Sequence, residues 1–235
     1  MNARAVIWAK PRLSGLYAIT RDEPDSGKLA SEVDLALQGG ARIVQYRNKA
    51  APLVLAREQA SMLRDLTLAS GAALIINDDV ELALAVCADG VHLGRDDKWV
   101  AAARTEFHDI RQRANTVRQA QGKPSTTPFL VGISCYNELE RAQAAADAGA
   151  DYLAFGSIFP SSTKPHARRA DLSLIGAAKQ RFMLPVVAIG GITPENAPQL
   201  IAAGVDAIAV ISSLFDAENI KSRAQQFSSL FPDHV

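Results

Sequence analysis

The sequence predicts a single closed (β/α)8 barrel of the TIM type over residues 1–235. Three observations predict it. Short apolar runs alternate with longer segments of helical spacing, and the pair recurs eight times along the chain. The runs are apolar throughout rather than at every second residue, as parallel strands covered on both faces require. Three junctions, "AVCADGVHL", "ADAGADYLAF" and "IAAGVDAIAV", each run from a helix through a glycine and an acidic residue into a buried strand. Eight such units in 235 residues suit a closed barrel, with a doubly wound open sheet as the competing architecture.

The expected strands are Leu16–Thr20, Arg42–Tyr46, Ala73–Asn77, Gly90–Leu93, Phe129–Ile133, Tyr152–Phe155, Pro185–Ile189 and Ala207–Ile211. Helical patterns follow most of them, from "ASEVDLALQGG" to "DAENIKSRAQQFSSLF". Gly71, Gly149 and Gly204 follow amphipathic runs and read as helix stops, while "TPEN" opens a helix with Thr193 as cap and Pro194 in its first turn. An enlarged segment at about 98–128 is helical in its first half, and "QGKPSTTP" at its end has the composition of a loop.

Composition excludes several classes of function. Lys+Arg and Asp+Glu are equal at 25 each, so the chain lacks the basic surface that general nucleic-acid binding needs, and any anion site is local. No apolar run reaches the roughly 18 residues of a spanning helix. Lys10, Pro11 and Arg12 interrupt the apolar residues near the start, so a cytoplasmic location is expected. Cys87 and Cys135 form neither a disulfide framework nor a zinc motif, and read as plain reduced thiols. His92, His108, His166 and His234 show no metal-ligand spacing.

In a (β/α)8 barrel the residues just after each strand gather at one mouth, where such enzymes place their sites. In "QYRNK", Gln45, Arg47 and Lys49 face one way if the segment is extended, an arrangement suited to phosphate or diphosphate; a merely solvated strand tip is the alternative. "INDD" brings Asn77 and Asp78 to the mouth, with Asp97 one strand later, which offers the hard oxygens Mg²⁺ prefers; Asp79 is then the cap of the next helix. Strand five ends in Ser134 and strand six in Ser161, Ser162, Thr163 and Lys164. Strand seven ends in Gly190-Gly191 and strand eight in Ser212-Ser213, the loops that commonly hold phosphate in this fold. Two anion regions suggest two phosphorylated small-molecule substrates.

Together "GLYAIT", "VQYRNK", "LIINDDVELALAVCADGVHLG", "VGIS", "DYLAFGSIFPSSTK" and "VAIGGITPENAPQLIAAGVDAIAVIS" resemble the thiamine-phosphate synthase family, in the family's order, from Gly15 to about Ser213. The resemblance implies a Mg²⁺-dependent transferase that joins hydroxymethylpyrimidine diphosphate to thiazole phosphate, releasing pyrophosphate. By the same resemblance Gln45, Tyr46, Arg47, Asn48, Lys49, Asn77, Ser134 and Lys164 hold the pyrimidine diphosphate, with Arg47, Lys49, Lys164 and Ser134 serving catalysis. Asp78 and Asp97 hold Mg²⁺. Ser161, Ser162, Thr163, Gly191, Ile211 and Ser212 hold the thiazole phosphate, Ser162 being the least engaged.

The family usually carries Gln where this chain has Arg95, and Thr where it has Ser161. Ser161 keeps the hydroxyl, whereas Arg95 adds a cation beside the proposed metal and diphosphate. A thiazole tautomerase of the same barrel family and a non-catalytic barrel that binds thiamine precursors are the competing functions. Asn77, Asp78, Asp97 and Lys164 favour the synthase, since an isomerase has no diphosphate to hold.

Overall fold

The computed structural model describes residues 13–94, 99–120, 128–160 and 170–231. Eight parallel strands lie in sequence order and close on themselves. They are β1 (Gly15–Ile19), β2 (Ile43–Tyr46), β3 (Ala73–Asn77), β4 (Gly90–Leu93), β5 (Leu130–Tyr136), β6 (Tyr152–Phe155), β7 (Val186–Ile189) and β8 (Ala207–Val210). Gly15 of β1 sits beside Ala207 of β8, so the ring is complete and the open-sheet alternative is excluded. The covering helices are α1 (Ser26–Gln38), α2 (Leu53–Ser70), α3 (Val80–Ala85), α4 (Trp99–Ala120), α5 (Leu139–Ala148), α6 (Leu172–Arg181), α7 (Ala197–Ala202), α8 (Ser212–Phe215) and α9 (Ile220–Ser228). Among the described residues no helix is long and apolar enough to cross a membrane.

Alternation along each strand divides the apolar residues into two cores. Leu16, Ala18, Val44, Leu74 and Ile76 face outward onto the helices, while Tyr17, Ile19, Ile43 and Ile75 face into the barrel. This is why the strands read as unbroken apolar runs. Inside the barrel the Tyr152 ring crosses Gly132, at which a Cβ would overlap the phenol carbons and hydroxyl.

The three repeated junctions share one device at the base of the barrel. Asp89, directly before β4, accepts from Leu74 N of β3 at 2.8 Å and from Arg64 of α2 at 2.6 Å. Asp151, before β6, accepts from Val131 N of β5 at 2.8 Å and from Arg111 of α4 at 2.6 Å. Asp206, before β8, accepts from Val186 N of β7 at 2.7 Å and from Lys179 of α6 at 2.7 Å. Each acid also donates its main-chain N–H back to the strand it caps, to Leu74 O, Val131 O and Val186 O. Each even strand after the first is thus latched to its odd predecessor and to the helix two units back. The residue before β2 is Arg42, which has no carboxylate to supply, and a cleft of about 530 Å³ opens at that end between Gly40, Arg42, Gly71, Ser228 and Phe231.

Several boundaries differ from the sequence reading. β5 continues past Ile133 to Tyr136 because its pairing with β6 shifts register between Ser134 and Tyr136. α4 is helical to Ala120, beyond the first half of the enlarged segment, and the loop expected from 121 onward lies mostly outside the described residues. α7 starts after Asn196 rather than Thr193. Asn196 N and Ala197 N both donate to Thr193 O, and Thr193 N donates to Asn196 Oδ1 at 2.9 Å, so Thr193 closes a turn ahead of the helix. Gly71 and Gly149 do stop their helices in the left-handed conformation, at φ 70° and 95°.

Two measurements probe this packing. Gly132→Ala forces the Tyr152 ring aside, and urea unfolding should register a loss of about 1–3 kcal/mol. Cys135 is buried, and burial lifts its thiol from 9.0 to about 12. Because the folded pKa is the raised one, its contribution is intact below about 9 and is lost as pH climbs toward 12, where only the unfolded thiol ionises first. The urea midpoint of Cys135→Ala should therefore fall less steeply than that of the native chain over this window.

Candidate active site

The C-terminal mouth of the barrel collects the described candidates. On β2 the alternation sends Gln45 inward, 3% exposed, and Tyr46 outward. Tyr46 Oη donates to Gln59 Oε1 of α2 at 2.9 Å, and burial, reinforced by the Asp22 charge, raises its phenol from 10.0 to about 12. The main chain of Arg47 is held on both sides by Thr20 Oγ1, at 2.8 Å from N and 3.0 Å to O. Asn48 Nδ2 donates to Glu23 O at 2.8 Å and Gln59 Oε1 at 3.0 Å, while Gln59 Nε2 donates to Glu23 O at 2.8 Å. Tyr46 and Asn48 thus spend their side chains anchoring the loop, leaving Arg47 and Lys49 to present charge.

Those two cations are only loosely held. Arg47 lies 3.4 Å from Asp22, and Lys49 Nζ lies 3.9 Å from Asp78 Oδ2 with 62% of its side chain exposed. Pairs of this kind add little stability, so little is lost when either cation leaves its acid. Asp22 Oδ1 also accepts from Lys49 N at 2.7 Å, which keeps the loop end over the mouth.

β3 ends in Asn77 and then Asp78, whose φ of 59° is left-handed, a conformation Asp tolerates better than most residues. The turn aims the carboxylate back over the strand ends. Its Oδ1 accepts from Gly94 N at 2.8 Å and its Oδ2 from Asn77 Nδ2 at 2.7 Å. Asp79 caps α3, accepting from Leu82 N at 2.8 Å, as the sequence predicts.

Below the mouth, polar side chains link across the barrel. Gln45 Nε2 donates to Asn77 Oδ1 at 2.7 Å, and Tyr17 Oη donates to Gln45 Oε1 at 2.9 Å. Tyr17 Oη lies 2.9 Å from Tyr152 Oη, which lies 3.0 Å from His92 Nδ1. His92 Nε2 lies 2.9 Å from Ser134 Oγ. Burial pushes both phenols well up, so they stay neutral hydroxyls. Sequence reasoning missed Tyr17, Tyr152, Gln59 and the place of His92. The one available signal for His92 was its parity with Gly90 on β4, which turns it inward rather than toward a helix.

On the opposite side, Gly190 and Gly191 have φ of 104° and 63° and leave no room for a Cβ against Ser157 and the Phe159–Pro160 main chain. Phe159 N donates to Gly190 O at 3.0 Å, so the glycine pair seats the chain leaving β6. Ile211 is the cap residue of α8 and Ser212 its first residue. The structure brings Gln45, Asn77, Asp78 and Ser134 into one linked set, with Arg47 and Lys49 above it and Gly191, Ile211 and Ser212 across strands β7 and β8. Arg95, Asp97, Ser161, Ser162, Thr163 and Lys164 lie outside the described residues.

A parallel barrel whose mouth joins cations, a carboxylate and glycine-built loops belongs to the class of phosphate-handling (β/α)8 barrels. Residues 16–112 and 112–214 match the family model described as thiamine monophosphate synthase. The chain is 49% identical over 221 residues to the thiamine-phosphate synthase of Methylobacillus flagellatus, covering 94% of this chain and 97% of that one. It is 49% identical to the thiamine-phosphate synthase of an Azoarcus species, covering 94% and 98%. The solved thiamine phosphate pyrophosphorylase of Pyrococcus furiosus superposes with a TM-score of 0.73 at 33% identity, covering 93% of this chain and 96% of that one. A 3-hexulose-6-phosphate synthase, at 17% identity and a TM-score of 0.62, shares the fold alone. The chain belongs to the thiamine monophosphate synthase family.

The Gln59 anchor is directly testable. Gln59→Leu strands the Tyr46 hydroxyl and releases Asn48, which should cost about 1–3 kcal/mol in urea unfolding and weaken binding of inorganic pyrophosphate measured by calorimetry.

Proposed function

We propose that this chain is a Mg²⁺-dependent thiamine-phosphate synthase, a cytoplasmic enzyme that joins an aminopyrimidine carrying a methyl diphosphate to a thiazole phosphate and releases pyrophosphate. The observation that carries the reading is the set Gln45, Asn77 and Asp78 with Arg47 and Lys49 over it, in a chain of this family. Arg47 and Lys49, with Lys164 and Ser134, would bind the pyrimidine diphosphate alongside Gln45, Asn77 and the main chain of Tyr46 and Asn48. Ser161, Ser162, Thr163, Gly191, Ile211 and Ser212 would hold the thiazole phosphate.

Asp78 fits a Mg²⁺ ligand. Its side chain is 48% exposed at the mouth, and both oxygens keep acceptor capacity after meeting Gly94 N and Asn77. Mg²⁺ takes one or two carboxylates and completes its shell with water and substrate oxygens, so Asp78 with Asp97 suffices. When bound, the ion neutralises charge on the leaving diphosphate.

The residues then divide the work. The bond between the pyrimidine methylene and the diphosphate oxygen breaks, and the cations around the diphosphate stabilise its growing charge. The electron-rich aminopyrimidine spreads the positive charge left behind, and the thiazole nitrogen supplies the pair that forms the new C–N bond. No strong base is needed, because no proton leaves the reacting carbon. Holding the two substrates in line is the protein's second contribution.

Purified protein incubated with both precursors and Mg²⁺ should yield thiamine phosphate and pyrophosphate in equal amounts; folded protein without product would overturn the reading. Asp78→Ala should lower turnover by roughly 10²-fold or more while the thermal melt is retained. Undiminished Mg²⁺-dependent turnover in that variant would remove Asp78 from the ligand set.

A further inference from the structure

As far as His92 Nδ1, the hydrogen bonds across the barrel have one consistent direction. A carboxylate accepts and cannot donate, so Asn77 must turn its Nδ2 toward Asp78 Oδ2 and its Oδ1 toward Gln45. Gln45 must therefore give Nε2 to Asn77 and keep Oε1 for Tyr17. The single Tyr17 proton is thereby used, so Tyr152 must donate to Tyr17 Oη rather than the reverse. The single Tyr152 proton is used in turn, and its oxygen must accept from His92 Nδ1. A neutral imidazole that donates from Nδ1 has only a lone pair at Nε2, where Ser134 Oγ sits 2.9 Å away.

We propose that His92 is a positioning residue, held as the neutral Nδ1–H tautomer, whose Nε2 accepts the hydrogen bond of the Ser134 hydroxyl and leaves Ser134 to face the substrate as a hydrogen-bond acceptor. An acceptor of this kind repels diphosphate oxygens and matches a substrate N–H. Given the synthase reading, on which this rests, the matching group is the exocyclic amine of the pyrimidine. Ser134 then reads the ring rather than the leaving group, and selects an aminopyrimidine over its oxo analogue. His92 is 8% exposed, and its ring stacks on Tyr152 at 5.6 Å between centroids, so the imidazole cannot easily turn over to exchange its two nitrogens.

Two measurements test the proposal without using turnover. In protein with ¹⁵N-labelled histidine, long-range proton–nitrogen spectra of the His92 ring, assigned by the signal lost in His92→Gln, should show a protonated Nδ1 and a bare Nε2. Protonation at Nε2, in a neutral or a cationic ring, would overturn the proposal. In calorimetry, the wild-type chain should bind the aminopyrimidine diphosphate at least about tenfold more tightly than the 4-oxo analogue, since an unmatched polar contact discriminates strongly. Ser134→Ala and His92→Leu should bring that ratio toward unity, whereas His92→Gln, whose amide oxygen can accept the same proton, should retain it. An unchanged ratio in Ser134→Ala would also overturn the proposal, and this variant carries the binding arm if His92→Leu fails to fold. Failure of the synthase reading shows separately, as absence of product from wild-type protein supplied with both precursors.

Discussion

The rest of the molecule depends on the register at which the eight strands close. In a parallel ring a slip of one residue would send every inward side chain outward. Asp89, Asp151 and Asp206 oppose such slips at the base. Each spans a main-chain N–H within the first two residues of the preceding odd strand and a cation from an even-numbered helix, so a shifted strand would strand both an N–H and a charge. The acid in each repeated junction is therefore a structural group, and its regular recurrence divides the barrel into pairs of β/α units. Arg42 breaks that recurrence before β2, where a cleft opens at the base.

With register fixed, the top of the interior can tolerate polar residues. Tyr17, Gln45, His92 and Tyr152 are each 8% exposed or less, yet their heteroatoms meet one another at 2.9–3.0 Å. Buried polar groups are costly unless paired, and a fully paired set is rigid because each group constrains the next. Gly132 contributes by having no side chain, since the Tyr152 phenol occupies the space a Cβ would take. The same chain ends on solvent-facing groups at both ends, Asp78 and Ser134, so the barrel core and the substrate-facing surface are one hydrogen-bonded body. Around it, Gln59 and Thr20 fix the β2 loop so that its two cations stay over the mouth without being consumed by strong internal ion pairs.

Legibility in the sequence followed the range of the interactions. The eight strands and most helices were legible because alternation and periodicity are local, and Gly71 and Gly149 were legible as stops because the left-handed conformation is a single-residue property. Asp79 was legible as a cap for the same reason. The extension of β5 was not, because a register shift depends on the neighbouring strand. Thr193 misled because a hydroxyl before a proline has the local look of a cap, whereas Asn196 closes the turn through a contact that only folding reveals. At the site, Gln45, Arg47, Asn77 and Asp78 could be read from strand ends, but the outward anchoring of Tyr46 and Asn48 required Gln59, which lies on another element.

By itself the sequence determined the barrel, the mouth at which its polar residues collect, and the resemblance that names the family, since each rests on patterns within a few residues or on motif order. Only the tertiary structure decided which polar groups meet. Tyr17 and Tyr152 are 135 positions apart and His92 and Ser134 are 42, and nothing local records that their hydroxyls and ring nitrogens share one layer. The physical reason is that direction in a hydrogen-bond chain is a property of the whole set: one carboxylate at Asp78 determines the proton on His92 only once all the intervening groups are in contact.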